Sequence, residues 1–480
     1  MQESFKLSPL VMLCCILALT CGELLSGTSL YFVAAMAVAM LCVGITFNIL
    51  GGTGTIGGIG FASLALNTIV ISQFAKVAFF EPADKNLETP ELTITVYMIF
   101  FLCAMLGTYV FSGLRFRLPK ALEVSTTSQT NLLYFVSVAL GMGSQVLGLL
   151  AVMTASGDVE QSASRSFGLE FSGLTIFAIV LATDSRIRQT NGRHSFGLKV
   201  FFPWLFSILV SLLLTSRGGM IVPTLAYALT CLVSGYRFRR NHYLALCAGV
   251  LVLGFLISPF EMYVRQFREG MTPQGMAEVV WRQLTTMPDW TTVAQASAEA
   301  EGSGSGRSSY FNRPGTLILS RLSLIRTDSN LISACSTGYH YRFAAVKNDL
   351  LMLIPHFIYK DKPTVSSVGL LGHIAGVTGD DADTTFATIT MVADGYGAFG
   401  WLGVISTGLF ALPFVIIVYE SIFDMRRPWG TVALGVFAVA LPGANLGRLV
   451  GLTLRTTVEL VLLSYIVGAV LRVVPIKAER

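Results

Sequence analysis

The feature that most constrains this chain is a series of apolar runs, each about as long as a bilayer core is thick. Hydrocarbon offers no water to backbone N–H and C=O groups, so a run of about 20 apolar residues must satisfy them internally, as a helix. Twelve runs can be marked, near Leu10 to Leu25, Ser29 to Leu50, Gly58 to Phe80, Thr95 to Phe111, Asn131 to Thr154, Phe167 to Thr183, Val200 to Leu214, Met220 to Gly235, Tyr243 to Pro259, Ala398 to Tyr419, Gly430 to Pro442 and Leu446 to Val473. Only 13% of residues are charged and 53% are hydrophobic, against about 25% charged in soluble domains. The expectation is an all-α polytopic membrane protein of about 12 transmembrane helices. The first run has few basic residues ahead of it and no small-residue cleavage site after Cys21, which reads as a retained anchor.

One long region breaks the pattern. Residues 260–396 hold well over a third of the charged side chains and three of the five histidines, His340, His356 and His373. The chain is therefore expected to divide into an N-terminal membrane bundle (1–259), an extracytoplasmic, partly helical loop (260–396) and a C-terminal bundle (397–480). Basic residues give the orientation, because short Lys/Arg-rich links stay on the cytoplasmic side. Arg115, Arg117 and Lys120, then Arg186, Arg188, Arg193 and Lys199, then Arg237, Arg239 and Arg240, then Arg426 and Arg427, fall on alternate links. Both termini are expected inside and the long loop outside. The net charge of +5 follows from this bias and implies no nucleic-acid partner.

Several motifs carry less than they spell. Gly52-Thr53-Gly54-Thr55-Ile56-Gly57 has the GxGxxG form, yet it follows a membrane helix rather than the strand that a dinucleotide site needs. Seven of the eight cysteines fall in apolar runs, and Cys335 alone lies in the loop, so no disulfide forms within the loop. Asp381-Ala382-Asp383 is read as solvated surface, and no metal site is expected. Within the loop, Glu278 to Met287 reads as an interfacial amphipathic piece and Ser297 to Gly315 as a Gly/Ser linker. Leu317 to Ala334 and Arg342 to His356 read as two helices, with Arg321 and Arg326 on solvated faces.

Three groups of residues stand out on the predicted outer side. Arg217, in Thr215-Ser216-Arg217-Gly218-Gly219, sits between two short helices. The stretch Pro355 to Pro363 is apolar and aromatic and ends in Lys360 and Lys362. Arg448, Arg455 and Glu459 are spaced to share one helical face. Arg455 and Glu459 fit an internal ion pair as well as a ligand contact, whereas Arg448 has no acid near it in sequence.

These features, with Asp394-Gly395-Tyr396-Gly397-Ala398-Phe399-Gly400 entering the helix after the loop, resemble the Wzy-type polysaccharide repeat-unit polymerases. Relatives often carry glutamate where Asp394 stands. The resemblance implies an enzyme of the bacterial inner membrane with a periplasmic loop. It would join undecaprenyl-diphosphate-linked oligosaccharides by glycosyl transfer, using no cofactor and no metal. Membrane lipids, a flippase and a chain-length regulator are the further partners implied. Such chemistry needs cations for a leaving diphosphate and a base for the attacking hydroxyl. Arg217 and Arg448 are the expected diphosphate ligands and are expected to meet in one cavity, with Arg265, Arg268, Lys362 and Arg455 as further binding residues. Asp394 and His373 are rival candidates for the base. An O-antigen-ligase-like transferase shares these features, and a lipid-linked oligosaccharide flippase or other transporter is the reading from another class.

Overall fold

The computed structural model describes residues 5–121, 127–154, 173–213, 217–240, 242, 275, 278, 323–354, 359, 367–376, 388–425 and 427–473. Every regular element among them is helical. Six helices are long and apolar enough to cross a membrane: Leu30–Ile49, Ile56–Ala78, Pro90–Phe111, Thr130–Leu149, Trp401–Ile422 and Leu446–Ile466. Pro9–Leu25, Leu198–Ser211, Val222–Val233 and Trp429–Ala440 are shorter apolar helices. Eleven of the twelve expected runs thus overlap described helix, while residues 167–172, residue 214 and the run Tyr243 to Pro259 lie outside the described residues.

Local chemistry sets the helix starts. Ser8, Ser29, Thr55, Thr390 and Asn445 each accept a hydrogen bond from a backbone N–H of the first turn, and Pro9 and Pro90 occupy first-turn positions where no N–H is needed.

The chain forms two compact units. The first comprises Met1–Ala121, Leu319–Met425 and Val436–Leu462; the second comprises Leu122–Ile318, Arg426–Gly435 and Leu463–Arg480. All three sequence segments contribute to both units. In the first, Phe32, Met36, Phe61, Phe100, Phe101, Tyr419 and Phe437 are fully enclosed, with Phe61 edge-on to Phe101 at 6.0 Å. In the second, Tyr134, Ala178, Ile179, Ala182 and Val200 form a core against Trp204 and Tyr227.

The loop helices are where expectation and structure part. The first, expected over Leu317 to Ala334, is described as Ile325–Cys335, and the second, expected over Arg342 to His356, as Ala344–Leu353. Ile325–Cys335 does not lie free on a surface. It buries Ile325, Asp328, Ser329, Leu331, Ile332 and Cys335. Leu324 N–H donates to the Asn67 carbonyl at 3.1 Å, within the π turn Leu66–Val70. The Ser329 hydroxyl accepts from Thr93 Oγ1 and from Glu88 N–H, both at 3.0 Å. Arg326 is partly buried rather than solvated. Arg321, Glu278 to Met287 apart from Glu278 itself, the linker Ser297 to Gly315, and Asp381 and Asp383 lie outside the described residues.

Candidate functional site: a buried carboxylate network

Three aspartates in the first unit organise a polar network inside an otherwise apolar fold. Asp328 is fully buried. It accepts from the Tyr97 hydroxyl of helix Pro90–Phe111, from Thr390 N–H at 3.0 Å and from Thr390 Oγ1 at 2.5 Å. Thr390 also caps helix Met391–Phe399, accepting from Val392 N–H at 3.2 Å.

Asp394, one turn further on, is buried as deeply. The Tyr341 hydroxyl donates to Asp394 Oδ1 at 2.5 Å, and Leu446 N–H donates to Oδ2 at 2.6 Å. Tyr341 is fixed in turn by its backbone N–H on the Gly397 carbonyl at 3.3 Å. Positive φ at Gly400, +60°, lets the chain fold back immediately after this helix.

The third carboxylate, Asp349, is half-buried. It accepts from Ser367 Oγ at 2.6 Å and Ser367 N–H at 3.3 Å, and Asn445 Nδ2 donates to the same Ser367 hydroxyl at 2.9 Å. Asn445 Oδ1 accepts from Arg448 N–H at 2.8 Å. Asp394 and Asn445 thus hold two N–H groups of one helix start, and Arg448 is the third residue of that helix.

Gly447 lets Asp349 come this close: a Cβ there would lie 2.1 Å from Asp349 Oδ2. Gly447→Ala is expected to push the carboxylate off Ser367 and cost about 1–3 kcal/mol, as overpacking does. Thermal unfolding of the purified variant checks this, and an unchanged midpoint would show that the site yields freely.

Burial pushes both Asp328 and Asp394 up to about 6, against the opposing pull of their hydrogen bonds from Thr390 and Tyr97 and from Tyr341 and Leu446. Burial and the Asp394 charge hold the Tyr341 phenol well above its ordinary value. Between the unperturbed carboxylate value of about 4 and about 6, the folded chain keeps protons that the unfolded chain has lost. That stability is fully present below about pH 4 and is lost as pH rises through about 6, by up to about 3 kcal/mol per site. Melting in detergent is therefore expected at lower temperature at pH 7 than near pH 4.5, with Asp394→Asn narrowing the difference. An equal pH slope in the variant would remove Asp394 as its source.

Beside this network runs an apolar cavity of about 650 Å³. Phe343, Val346, Phe399, Leu446 and Leu449 line it near Asp349 and Arg448 in the chain, and Leu114, Phe116 and Phe414 line it further along. From Gly403 to Ile417 it follows helix Trp401–Ile422 for about 21 Å at 1.5 Å per residue. It also draws on two π turns, Thr407–Ala411 and Leu452–Thr456, a helix distortion frequent at functional sites.

The structure brings Asp394 and Arg448 to one helix start, and Arg448, which has no acid near it in sequence, gains one in space. Asp349, distant in sequence, acts on it electrostatically. The Arg448 side chain is exposed. His373 is partly buried on helix Ser367–Ile374, and its imidazole makes no hydrogen bond among the described residues. Arg455 is paired with Glu459 at 2.8 Å, so the internal ion pair is formed. Arg217 opens helix Arg217–Val233 in the second unit; its side chain, and with it the expected meeting with Arg448, lies outside the described residues, as do Arg265, Arg268 and Lys362. The GxGxxG turn is already occupied, since Glu420 Oε1 accepts from Gly57 N–H at 3.2 Å while Glu420 pairs with Arg115 at 2.9 Å. Asp328, Asp349, Tyr97, Tyr341, Ser367 and Asn445 were missed by sequence reasoning. Asn445, an amide inside an apolar run, was the one signal available; Asp328 lies in a polar stretch that hides it.

A second polar cluster was also missed. Glu23 and Gln73 are fully buried with no hydrogen-bond partner among the described residues, and Lys76 Nζ donates to the carbonyls of Ala83 and Lys85 at 2.7 and 2.6 Å. No protein-family model, no curated protein and no solved structure matches the chain.

Proposed function

We propose that this membrane protein is a glycosyltransferase of the bacterial inner membrane, which polymerises polyprenyl-diphosphate-linked oligosaccharide repeat units in the manner of Wzy-type enzymes. The observation that carries the reading is the long apolar cavity that follows a candidate membrane span and is lined at one end by residues flanking Asp349 and Arg448. An extended isoprenyl chain has the shape of that cavity. A diphosphate attached to it would lie toward an accessible arginine, whose planar fork suits two phosphate oxygens.

In the proposed reaction an acceptor hydroxyl attacks the anomeric carbon of the donor, the bond from that carbon to the diphosphate oxygen breaks, and the hydroxyl proton passes to a carboxylate. Arg448 takes up the charge that develops on the leaving diphosphate. Asp394 has no exposed surface, so its part is to position the helix start that carries Arg448. Asp349, half-buried beside that helix, is the better-placed proton acceptor. The full set of twelve spans, inner termini and an outer loop 260–396 belong to the same reading.

Deletion of the gene in its native host, followed by electrophoresis of the surface polysaccharide, tests it. Single-repeat glycan is expected, and restoration of a ladder of lengths by the intact gene. A normal ladder on an underivatised acceptor would indicate a ligase instead, and loss of all exported glycan a flippase.

A further inference from the structure

The second unit carries a basic surface that the proposed chemistry does not use. The last turn of helix Gly173–Gln189 and two short connectors build it, one joining that helix to helix Leu198–Leu213 and the other following helix Arg217–Val233. Arg186, Arg193, Arg237, Arg239 and Arg240 are all exposed there, and none forms an ion pair among the described residues. Asp184 is the only acid between residues 173 and 242. It is already committed, to Arg188 at 2.8 Å and to the Ser234 hydroxyl at 2.7 Å.

The connectors are tied into one platform. Arg237 N–H donates to the Gly192 carbonyl at 3.2 Å. Gly192 and Gly235 both take positive φ, and a Cβ at Gly192 would lie 3.1 Å from the Gly235 carbonyl oxygen. Thr190 Oγ1 accepts from His194 N–H at 3.0 Å. On the other connector, the Tyr236 hydroxyl meets His242 Nε2 at 3.0 Å, and His242 Nδ1 accepts from Arg239 N–H at 2.9 Å. Tyr236 is itself anchored in a buried cluster with Ile187 and Cys231. Phe196 and Leu198 stand out beside the arginines, Leu198 with 72% of its surface exposed.

A topogenic signal needs only positive charge and tolerates a floppy connector. Arginines on a fixed backbone beside exposed apolar side chains, at the ends of apolar helices, match an interface where headgroup phosphates and acyl chains are offered together. We infer that this platform binds the headgroups of anionic phospholipids, with phosphate oxygens taken between guanidinium groups and Phe196 and Leu198 set among the upper acyl carbons. This inference stands apart from the glycosyl-transfer reading.

The experiment uses the purified full-length protein in neutral detergent, titrated with cardiolipin or with phosphatidylcholine and followed by native mass spectrometry and thermal unfolding. Cardiolipin adducts and a raised melting temperature are expected, both absent with phosphatidylcholine. Both should weaken sharply when salt rises from about 0.1 M to about 1 M, as the Debye length falls from about 10 to about 3 Å. The combined change Arg193→Gln, Arg237→Gln, Arg239→Gln is expected to weaken cardiolipin binding at least tenfold, while Lys85→Gln leaves it unchanged. If the triple variant does not insert, the matching triple lysine variant keeps the charge for insertion, and it is expected to bind cardiolipin more weakly than the parent. Equal shifts with the two lipids, or parental binding by the triple glutamine variant, would overturn the inference. So would binding of an acidic peptide through the same arginines without any cardiolipin preference, which would make the platform a protein-docking face.

Discussion

Asp328→Ala is expected to cost about 3–5 kcal/mol and to leave little folded protein, although residue 328 lies in the middle of the most polar part of the sequence. The carboxylate is fully buried and takes hydrogen bonds from Tyr97, Thr390 N–H and Thr390 Oγ1. Hydrogen bonds to a charged group are worth about 1.5–3 kcal/mol each, and partners stranded in a buried site add their own desolvation cost. Total stability of an ordinary domain is about 5–15 kcal/mol, so the loss is a large fraction of it. Asp328→Asn keeps the volume and two acceptor positions but turns an amide N–H₂ toward a donor, and is expected to fall between alanine and the parent. Fluorescence-detected size exclusion and melting of the solubilised protein read this directly. If Asp328→Ala elutes and melts like the parent, helix Ile325–Cys335 is not tied to the membrane helices as described.

Arg448→Lys is expected to reduce polymerising activity on the order of a hundredfold while melting within a few degrees of the parent. The side chain makes no hydrogen bond to the fold among the described residues, whereas its backbone N–H is held by Asn445. Substitution therefore leaves the helix cap in place. Lysine preserves the charge opposite Asp349 but cannot supply two parallel N–H contacts to a diphosphate. Both proteins, expressed at equal membrane levels in a deletion host, can be compared by the length ladder and by extension of lipid-linked repeat units in vitro. A parental rate for Arg448→Lys would reduce Arg448 to a charge at the interface and remove the main support for the leaving-group assignment.

Helix positions were legible in the sequence, because apolar runs such as Leu30–Ile49 and Pro90–Phe111 have one stable backbone solution in hydrocarbon. Arg455 and Glu459 were legible for a similar reason: four residues apart on a helix, they are neighbours whatever surrounds them. Asp394 was singled out only through the resemblance of its segment to the Wzy-type polymerases. The part it plays in the fold was not legible, because the two donors that occupy it, Tyr341 and Leu446 N–H, are separated from it by 53 and 52 residues.

The same distinction divides the whole molecule. Composition and periodicity alone determined that the chain is helical and that several of its helices can cross a membrane, since backbone hydrogen bonding and hydrophobic transfer act residue by residue along the chain. Only the tertiary structure decided that Asp328 would meet Tyr97 across 231 residues, and that Asn445 would meet Ser367 across 78. It likewise decided that the helix Ile325–Cys335 would be buried rather than solvated. Its low apolar content hides that outcome, because its buried face is held by specific hydrogen bonds as much as by area. A hydrogen bond depends on the position and direction of both partners, and a linear pattern records only one of them.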